Sequence, residues 1–156
     1  MKNFIIHSVA ILTLMFAPCI MTSASAQDAL FNKYENSKGV TTVFISKTML
    51  KLVSSFEKEN VDFSKISNRL DCIRILSSER PSLFPAIRKD AVDYFNRNKY
   101  EVVMQVKEDD ENTTIYMKPH GKDKNEFVLL SVEKDEISVI NVVGNITVKD
   151  IQAIKK

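Results

Sequence analysis

The chain has 156 residues, with 22 basic and 20 acidic side chains and a formal net charge of +2. Both signs are spread along it, so it carries neither the basic stripe that binds nucleic acid nor an acidic tail. Three glycines and no low-complexity tract indicate a compact, regular fold, and the length suits one domain behind a short leader.

The first 26 residues have the build of a cleavable secretory signal. Lys2 supplies a positive start, residues 4–17 are mainly apolar, and Ala24 and Ala26 stand at the two positions that a signal peptidase reads. The apolar run is interrupted and shorter than the roughly 20 residues that a membrane-spanning helix needs. We therefore expect cleavage after Ala26.

Cys19 raises the alternative of a lipoprotein, because a lipid-modified cysteine follows a small residue. Here Pro18 precedes it and Phe16 lies three residues before it, and both fit that pattern poorly. The expected product is a single domain over 27–156, exported to the periplasm or cell envelope, with no transmembrane segment.

The first half of this domain alternates between helical and extended patterns. The spacing of apolar residues predicts helices over 28–37, 48–56 and 63–70, and strands over 39–46 and 72–77. In the second helix the apolar residues expected to face the core are Met49, Leu52, Val53 and Phe56.

The clearest helix runs from Ser82 to Asn98. Pro81 and Pro85 lie just before it and in its first turn, where a missing N–H does little harm. One apolar stripe follows the helix and should pack on a sheet: Phe84, Ile87, Ala91 and Phe95.

From Tyr100 onward the apolar period changes to two. Four runs separated by short polar turns read as an antiparallel meander: YEVVMQVK, TTIYMK, EFVLLSV and ISVINVVGN. The last two runs are apolar on both faces, so they should be central or covered on both sides. Thr147 and Asp150 fit a capping box that starts a closing helix. The predicted fold class is α+β, with helices packed on a largely antiparallel sheet that ends in a four-strand meander.

Cys72 is the one cysteine after the predicted signal. A cysteine nucleophile needs a base or a positive field, and the one histidine of this region, His120, lies in a distant turn. Nothing in the sequence brings the two together, so a structural cysteine in a strand is favoured. Arg74 shares the face of Cys72 and is either an anion-binding guanidinium or a stem lying on the sheet with its head in water.

Glu79 and Arg80 lie where a strand leads into a helix, a place where ligands often bind in α/β sheets. The alternative is a local ion pair or a solvated loop, since the glycines of a phosphate cradle are missing. By position, Arg74, Glu79 and Arg80 are the candidate binding residues.

The acidic run 108–111 does not predict a calcium site, because calcium loops stagger their oxygens around a glycine. We predict no metal, no cofactor and no catalytic set. A pair of carboxylates that act together remains an open alternative, since the sequence does not give their spacing in space.

Four stretches taken in order carry a resemblance to a known family: LFNKYENSKGVTTVFISKTML, LDCIRILSSERP, KYEVVMQVKEDDENTTIYMK and NEFVLLSVEKDEISVINVVGNIT. Together they resemble domain-of-unknown-function family 4252, small exported proteins of Bacteroides-like Gram-negative bacteria. The resemblance covers nearly the whole expected domain and implies a periplasmic or envelope protein. It supplies no active residues to carry over.

Three functional hypotheses follow. The first is a non-catalytic exported domain that binds or senses a partner, such as an envelope protein. The second is a hydrolase that uses Cys72 or a carboxylate pair. The third is a structural protein that self-associates through an open sheet edge.

Overall fold

The fold is built on one six-stranded sheet, and the computed structural model describes residues 27–56 and 66–154. The strands, in chain order, are β1 Thr41–Ser46, β2 Leu70–Ser78, β3 Glu101–Lys107, β4 Glu111–Pro119, β5 Asn125–Glu133 and β6 Ile137–Gly144. Their spatial order is β1-β2-β6-β5-β4-β3, and every neighbouring pair is antiparallel. The predicted α+β class and the meander are thus confirmed, and β2 joins the meander by pairing with its last strand.

Four helices complete the described fold: α1 Gln27–Tyr34, α2 Lys47–Phe56, α3 Phe84–Arg97 and α4 Val148–Ile154. A 3₁₀ turn over Pro81–Leu83 leads into α3. Because Pro85 stands in the first turn of α3, its missing N–H interrupts no helical hydrogen bond. Of the helix predicted over 63–70, residues 63–65 lie outside the described residues, Ile66 and Ser67 are helical, and Leu70 begins β2.

The two faces of the sheet carry separate apolar clusters. The face that we call the α3 face joins Leu76, Leu130 and Val139 of the sheet to one stripe of α3 and to α1; the helical members are Ile87, Ala91, Phe95, Leu30, Phe31 and Tyr34. The predicted stripe of α3 is therefore correct, with Phe84 at its partly buried start. The opposite face, the α2 face, joins Phe127 and Val142 to Leu50 and Ile151.

The predicted core side of α2 is wrong for two of its residues. Leu50 is buried, whereas Met49 and Leu52 are each 49 % exposed. Because α2 begins at Lys47 directly after β1 ends, no loop lets the helix rotate, and its orientation follows from the strand. That orientation turns Leu50 toward the sheet and leaves Met49 and Leu52 half exposed.

The closing helix begins with the predicted capping box. The Thr147 backbone N–H donates to Asp150 Oδ2 over 2.8 Å, and the Asp150 N–H donates to Thr147 Oγ1 over 3.4 Å. Arg69 also donates to Asp150 Oδ1, over 2.6 Å, which ties α4 to the segment just before β2. In the described part of the chain, no helix combines the length and hydropathy needed to cross a membrane.

Candidate functional site

Arg74 lies on β2, on the α3 face, and its guanidinium carbon is 5.3 Å from the centroid of the Phe44 ring on β1. This is the geometry of a cation–π contact between neighbouring strands. Cys72 and Arg74 pair with Val143 and Asn141 of β6, so the prediction that they share a face is correct. The sheet therefore presents Arg74 close to its β1 edge, with an aromatic ring beside it.

A hollow of about 270 Å³ opens between α1 and the β1 edge. Arg74 and Phe44 line it on the sheet side, and Phe31 and Glu35 line it on the α1 side. The walls thus offer one cationic, one anionic and two aromatic side chains. Such a hollow is large enough for one side chain and too small for most cofactors.

Exposed apolar side chains concentrate on β1 and on the helix that follows it. Among the described residues, five large apolar side chains are exposed, and four of them belong to these two elements: Val43 at 41 %, Phe44 at 61 %, and Met49 and Leu52. The fifth is Val102 on β3. We call the four residues the β1 patch.

The two edges of the sheet differ in how they are protected. The β3 edge carries charges at Glu101 and Lys107 and a register shift between Val102 and Met104. Charges and bulges are the features that prevent an edge strand from pairing with another chain. The β1 edge has the sequence TTVFIS, without charge or proline, and pairs with β2 in continuous register. It is the edge that another strand can extend.

Arg80, a predicted binding residue, supports the turn that precedes β1. Its Nη1 donates to the Lys38 carbonyl over 3.1 Å, and Ser78 Oγ donates to the Gly39 carbonyl over 2.6 Å. Gly39 has φ +82°, and a Cβ there would lie 1.9 Å from Arg80 Cδ. The Arg80 stem therefore packs against the backbone of this turn and helps to set where β1 begins.

Glu79 lies at the opposite end of β2 from Cys72, in an acidic hollow. The turn β3–β4 and the turn β5–β6 meet there and supply most of its lining: Glu108, Asp109, Asp110, Glu111, Glu133, Lys134, Asp135 and Glu136. Antiparallel order brings both turns to one end of the sheet. In residues 27–56 and 66–154, no three His, Cys, Asp or Glu side chains converge to hold a metal ion. Of the three predicted binding residues, Arg74 thus lines the β1 hollow, Glu79 the acidic one, and Arg80 braces the turn.

The turn between β4 and β5 comes nearer to Cys72 than the sequence indicated. Lys124 Nζ of this turn lies 2.5 Å from Asp71 Oδ2, immediately before Cys72. The strand order explains the contact, because β6 alone separates β2 from β5. Cys72 itself is half-buried on β2. It pairs with Val143 on one side, and Val143 pairs with Glu126 on the other, which puts the backbones of Cys72 and Glu126 about 10 Å apart.

Glu126 is the centre of a buried polar cluster that sequence analysis missed. It is 3 % exposed and accepts hydrogen bonds from the Tyr100 hydroxyl and from Asn141 Nδ2, the latter over 3.0 Å. His120 Nδ1 lies 3.7 Å from its Oε2 at the solvent side. Burial raises the pKa of Glu126, while the Tyr100 and Asn141 donors oppose that rise. Burial and the Glu126 carboxyl together raise the pKa of Tyr100.

A signal for this cluster was present in the strand alternation. Glu126 is in phase with Val128 and Leu130, and Asn141 is in phase with Ile137 and Val139. In a strand whose two faces are both apolar, a polar residue in phase with apolar ones must be buried and must find a partner. The cluster joins a phenol, an amide, an imidazole and one carboxyl, so it is not the pair of carboxylates that a glycosidase requires.

Comparisons with known proteins agree with the resemblance found in the sequence. A family model described as Domain of unknown function (DUF4252) matches residues 34–154. No curated protein and no solved structure matches the chain. The matched range includes all six strands, the β1 patch and the Glu126 cluster. The chain belongs to the family of proteins that carry this domain of unknown function, DUF4252.

Proposed function

We propose that this protein is an exported, non-enzymatic domain of the cell envelope that binds a partner through the β1 edge of its sheet. Export is supported by the signal-like sequence of the first 26 residues. Partner binding is supported by the exposed apolar side chains of β1 and α2. It is also supported by the absence of charged residues along the β1 edge. The family adds no activity of its own to this inference.

The observation that carries the proposal is the contrast between the two sheet edges. A protein that avoided all edge pairing would protect β1 as it protects β3, with charges and a bulge. Instead β1 has six uncharged residues in unbroken register and exposes Phe44. An exposed apolar edge strand is an aggregation hazard unless a defined partner covers it, so its presence favours a binding role.

Strand addition is the binding mode that this edge supports. Main-chain hydrogen bonds to an added strand supply affinity, and pockets beside the edge select side chains of that strand. The hollow lined by Arg74, Phe44 and Phe31 lies where such a pocket is needed, on the α3 face. Arg74 thus keeps its predicted binding role within this proposal: it lines the hollow that receives a side chain of the added strand.

The hydrolase hypothesis has weaker support. The β4–β5 turn does approach the start of β2, through Lys124 and Asp71. The imidazole of His120, however, faces the buried carboxyl of Glu126, whose strand is two positions from that of Cys72. A cysteine nucleophile requires a base directed at its thiol, whereas this imidazole lies 3.7 Å from the Glu126 carboxyl.

The experiment places a photo-activatable benzoylphenylalanine at position 44 or, as a matched control, at position 102, in the full-length chain in a Gram-negative host. Both residues are exposed and apolar, and each belongs to an edge strand. We expect a cross-linked product from position 44 in the envelope fraction, lost when Val43→Lys is added, and none from position 102. Equal products from both positions, or none from position 44, would contradict the proposal.

A further inference from the structure

The side chains of β1 fall into two sets, one on each face of the sheet, and each set can pack against the same set of a second β1 strand. Pairing with β2 puts Thr42, Phe44 and Ser46 on the α3 face, and it puts Val43 and Ile45 on the α2 face. In an antiparallel sheet, residues directly opposite each other lie on the same face. A second strand that continues both faces must therefore match Phe44 with a residue that also points to the α3 face.

From this pattern we infer that the partner of the β1 edge is a second copy of the same chain, paired antiparallel about a two-fold axis at Phe44. This inference rests on the proposed role of the β1 edge and names its occupant. In this register Phe44 faces Phe44 of the second copy, Val43 faces Ile45, and Thr42 faces Ser46. The aromatic, β-branched and hydroxyl-bearing side chains are thus each opposite a side chain of the same type. Such cross-strand pairs stabilise the interface.

The neighbouring self-pairing register is less favourable. With the axis at Val43, Thr42 would face Phe44 and Thr41 would face Ile45, so that hydroxyl-bearing side chains oppose apolar ones. Both registers pair five residues of each strand. An unlike cross-strand pair is less stable than a like one, and the interface contains each unlike pair twice. The axis at Phe44 is the register that the side chains select.

The charges near β1 are compatible with a second copy. The sequence from Gly39 to Ser46 contains no charged residue, so no like charges oppose each other across the axis. Arg74 and its equivalent in the second copy are separated by three strand spacings, or roughly 14 Å, which exceeds the Debye length of about 10 Å at 0.1 M salt. Each guanidinium keeps its contact with the Phe44 ring of its own chain.

The helices after β1 extend the interface. Because α2 begins at Lys47, the residue after β1, the two-fold register puts the start of each α2 next to the turn before β1 of the second copy. Met49 and Leu52 of α2 are exposed in the single chain. The interface is isologous: the same patch is used on both chains, and the assembly closes as a dimer with a continuous twelve-stranded sheet.

Cysteine scanning tests the register directly. Cross-strand pairs lie within the Cα separation that a disulfide bridges, whereas residues shifted by two positions do not. We expect Phe44→Cys to form a disulfide-linked dimer with itself. Val43→Cys alone should not do so, but a mixture of Val43→Cys and Ile45→Cys should give the mixed dimer. The parent chain, which keeps Cys72, is the control for unrelated thiol pairing.

Light scattering of the chain purified from its exporting host tests the assembly. The parent chain should have the mass of two copies. Phe44→Lys, which brings two like charges together on the axis, should weaken self-association at least about tenfold. Val102→Lys on the other edge is the matched control and should stay dimeric. Both substituted side chains are exposed, and circular dichroism should show the parent fold in each.

The outcomes separate this inference from the proposed function. A monomeric parent chain whose position-44 cross-link in the envelope contains a different protein overturns the second copy and leaves the β1 edge as the binding site. A dimer that survives Phe44→Lys, or that depends on Val102, overturns the inference as well. A monomer with no cross-link at position 44 overturns both.

Discussion

At the scale of the residue, Glu126 contributes to how the stability of the fold varies with pH. Its carboxyl is buried between the Tyr100 hydroxyl and the Asn141 amide, and burial raises its pKa above the usual value of 4.5. Between the unfolded and the folded pKa, the folded chain binds more protons than the unfolded chain. The free energy of unfolding therefore falls as the pH rises through this window.

Glu126→Gln removes this titration and keeps an acceptor for both donors. We expect the variant to lose the decline in stability that the parent shows as pH rises from about 4.5. Denaturant unfolding at a series of pH values gives the comparison. A parent curve that rises across this window, or a variant curve with the same slope as the parent, would show that Glu126 is not the titrating group.

Tyr100→Phe leaves the Glu126 carboxyl with one donor fewer in a buried place. The expected loss is about 1–3 kcal/mol of unfolding free energy, and it should grow with pH because the ionised carboxylate loses most. Tyr116→Phe is the matched control. Tyr116 belongs to the same apolar cluster of the α3 face as Tyr100, and its substitution removes a hydroxyl that is not a donor to Glu126. Equal losses from the two substitutions would contradict this role for Tyr100.

At the scale of the element, α4 depends on its cap more than on its length. The Asp150 carboxylate accepts from Arg69 over 2.6 Å, from the Thr147 N–H over 2.8 Å and from Thr147 Oγ1 over 2.8 Å. Arg69 first, and the Thr147 donors with it, lower the pKa of Asp150 to about 2. A helix as short as Val148–Ile154 is marginal in isolation, so these contacts and the burial of Ile151 hold it.

Asp150→Ala should lower the unfolding free energy by about 1–2 kcal/mol at neutral pH, the usual loss for a helix cap together with a partly exposed ion pair. A lowered folded pKa gives stability that is present above the unfolded pKa of 3.8 and is lost as pH falls toward about 2. The difference between variant and parent should therefore shrink over that range in acid unfolding experiments.

Asp93→Ala is the control for this cap. Asp93 pairs with Lys89 one turn away on the exposed side of α3, and solvent screens such a pair so strongly that it contributes little to stability. If it costs as much as Asp150→Ala, the loss at Asp150 comes from surface charge in general and the cap has no special role.

At the scale of the whole molecule, the sequence predicted the elements better than their arrangement. The meander strands and the stripe of α3 were predictable because local apolar periods of two and of three to four residues report the structure directly. That β2 pairs with β6 was not predictable, because a pairing between residues 59 to 74 positions apart leaves no local pattern. The Glu126–Tyr100–Asn141 cluster does not depend on that pairing, since it joins β5, β6 and the residue before β3, all within the meander.

The position of α2 shows a second reason why the arrangement of the elements could not be predicted from the sequence. Met49, Leu52 and Leu50 are all apolar, and periodicity alone cannot say which side of a helix meets the sheet. The direct connection from β1 decides it in favour of Leu50 and exposes the others. An apolar stripe that stays exposed is then itself a signal of binding, which can be read after the fold is known and not before.

Amide hydrogen exchange over the whole sheet should distinguish a covered β1 edge from an open one. In a single chain, protection should be greatest in β5 and β6, which lie inside the sheet and contain Phe127, Val128, Ile137 and Val139, all buried, and least in the edge strands β1 and β3. If a second copy pairs with β1, the outward amides of β1 gain hydrogen bonds, so β1 becomes more protected than β3.

Phe44→Lys should restore fast exchange in β1 and leave β3 unchanged, whereas Val102→Lys should change neither strand. Equal exchange in β1 and β3 of the parent chain would mean that nothing pairs with β1 in solution, and a Phe44→Lys effect spread over β5 and β6 would indicate general loosening of the fold.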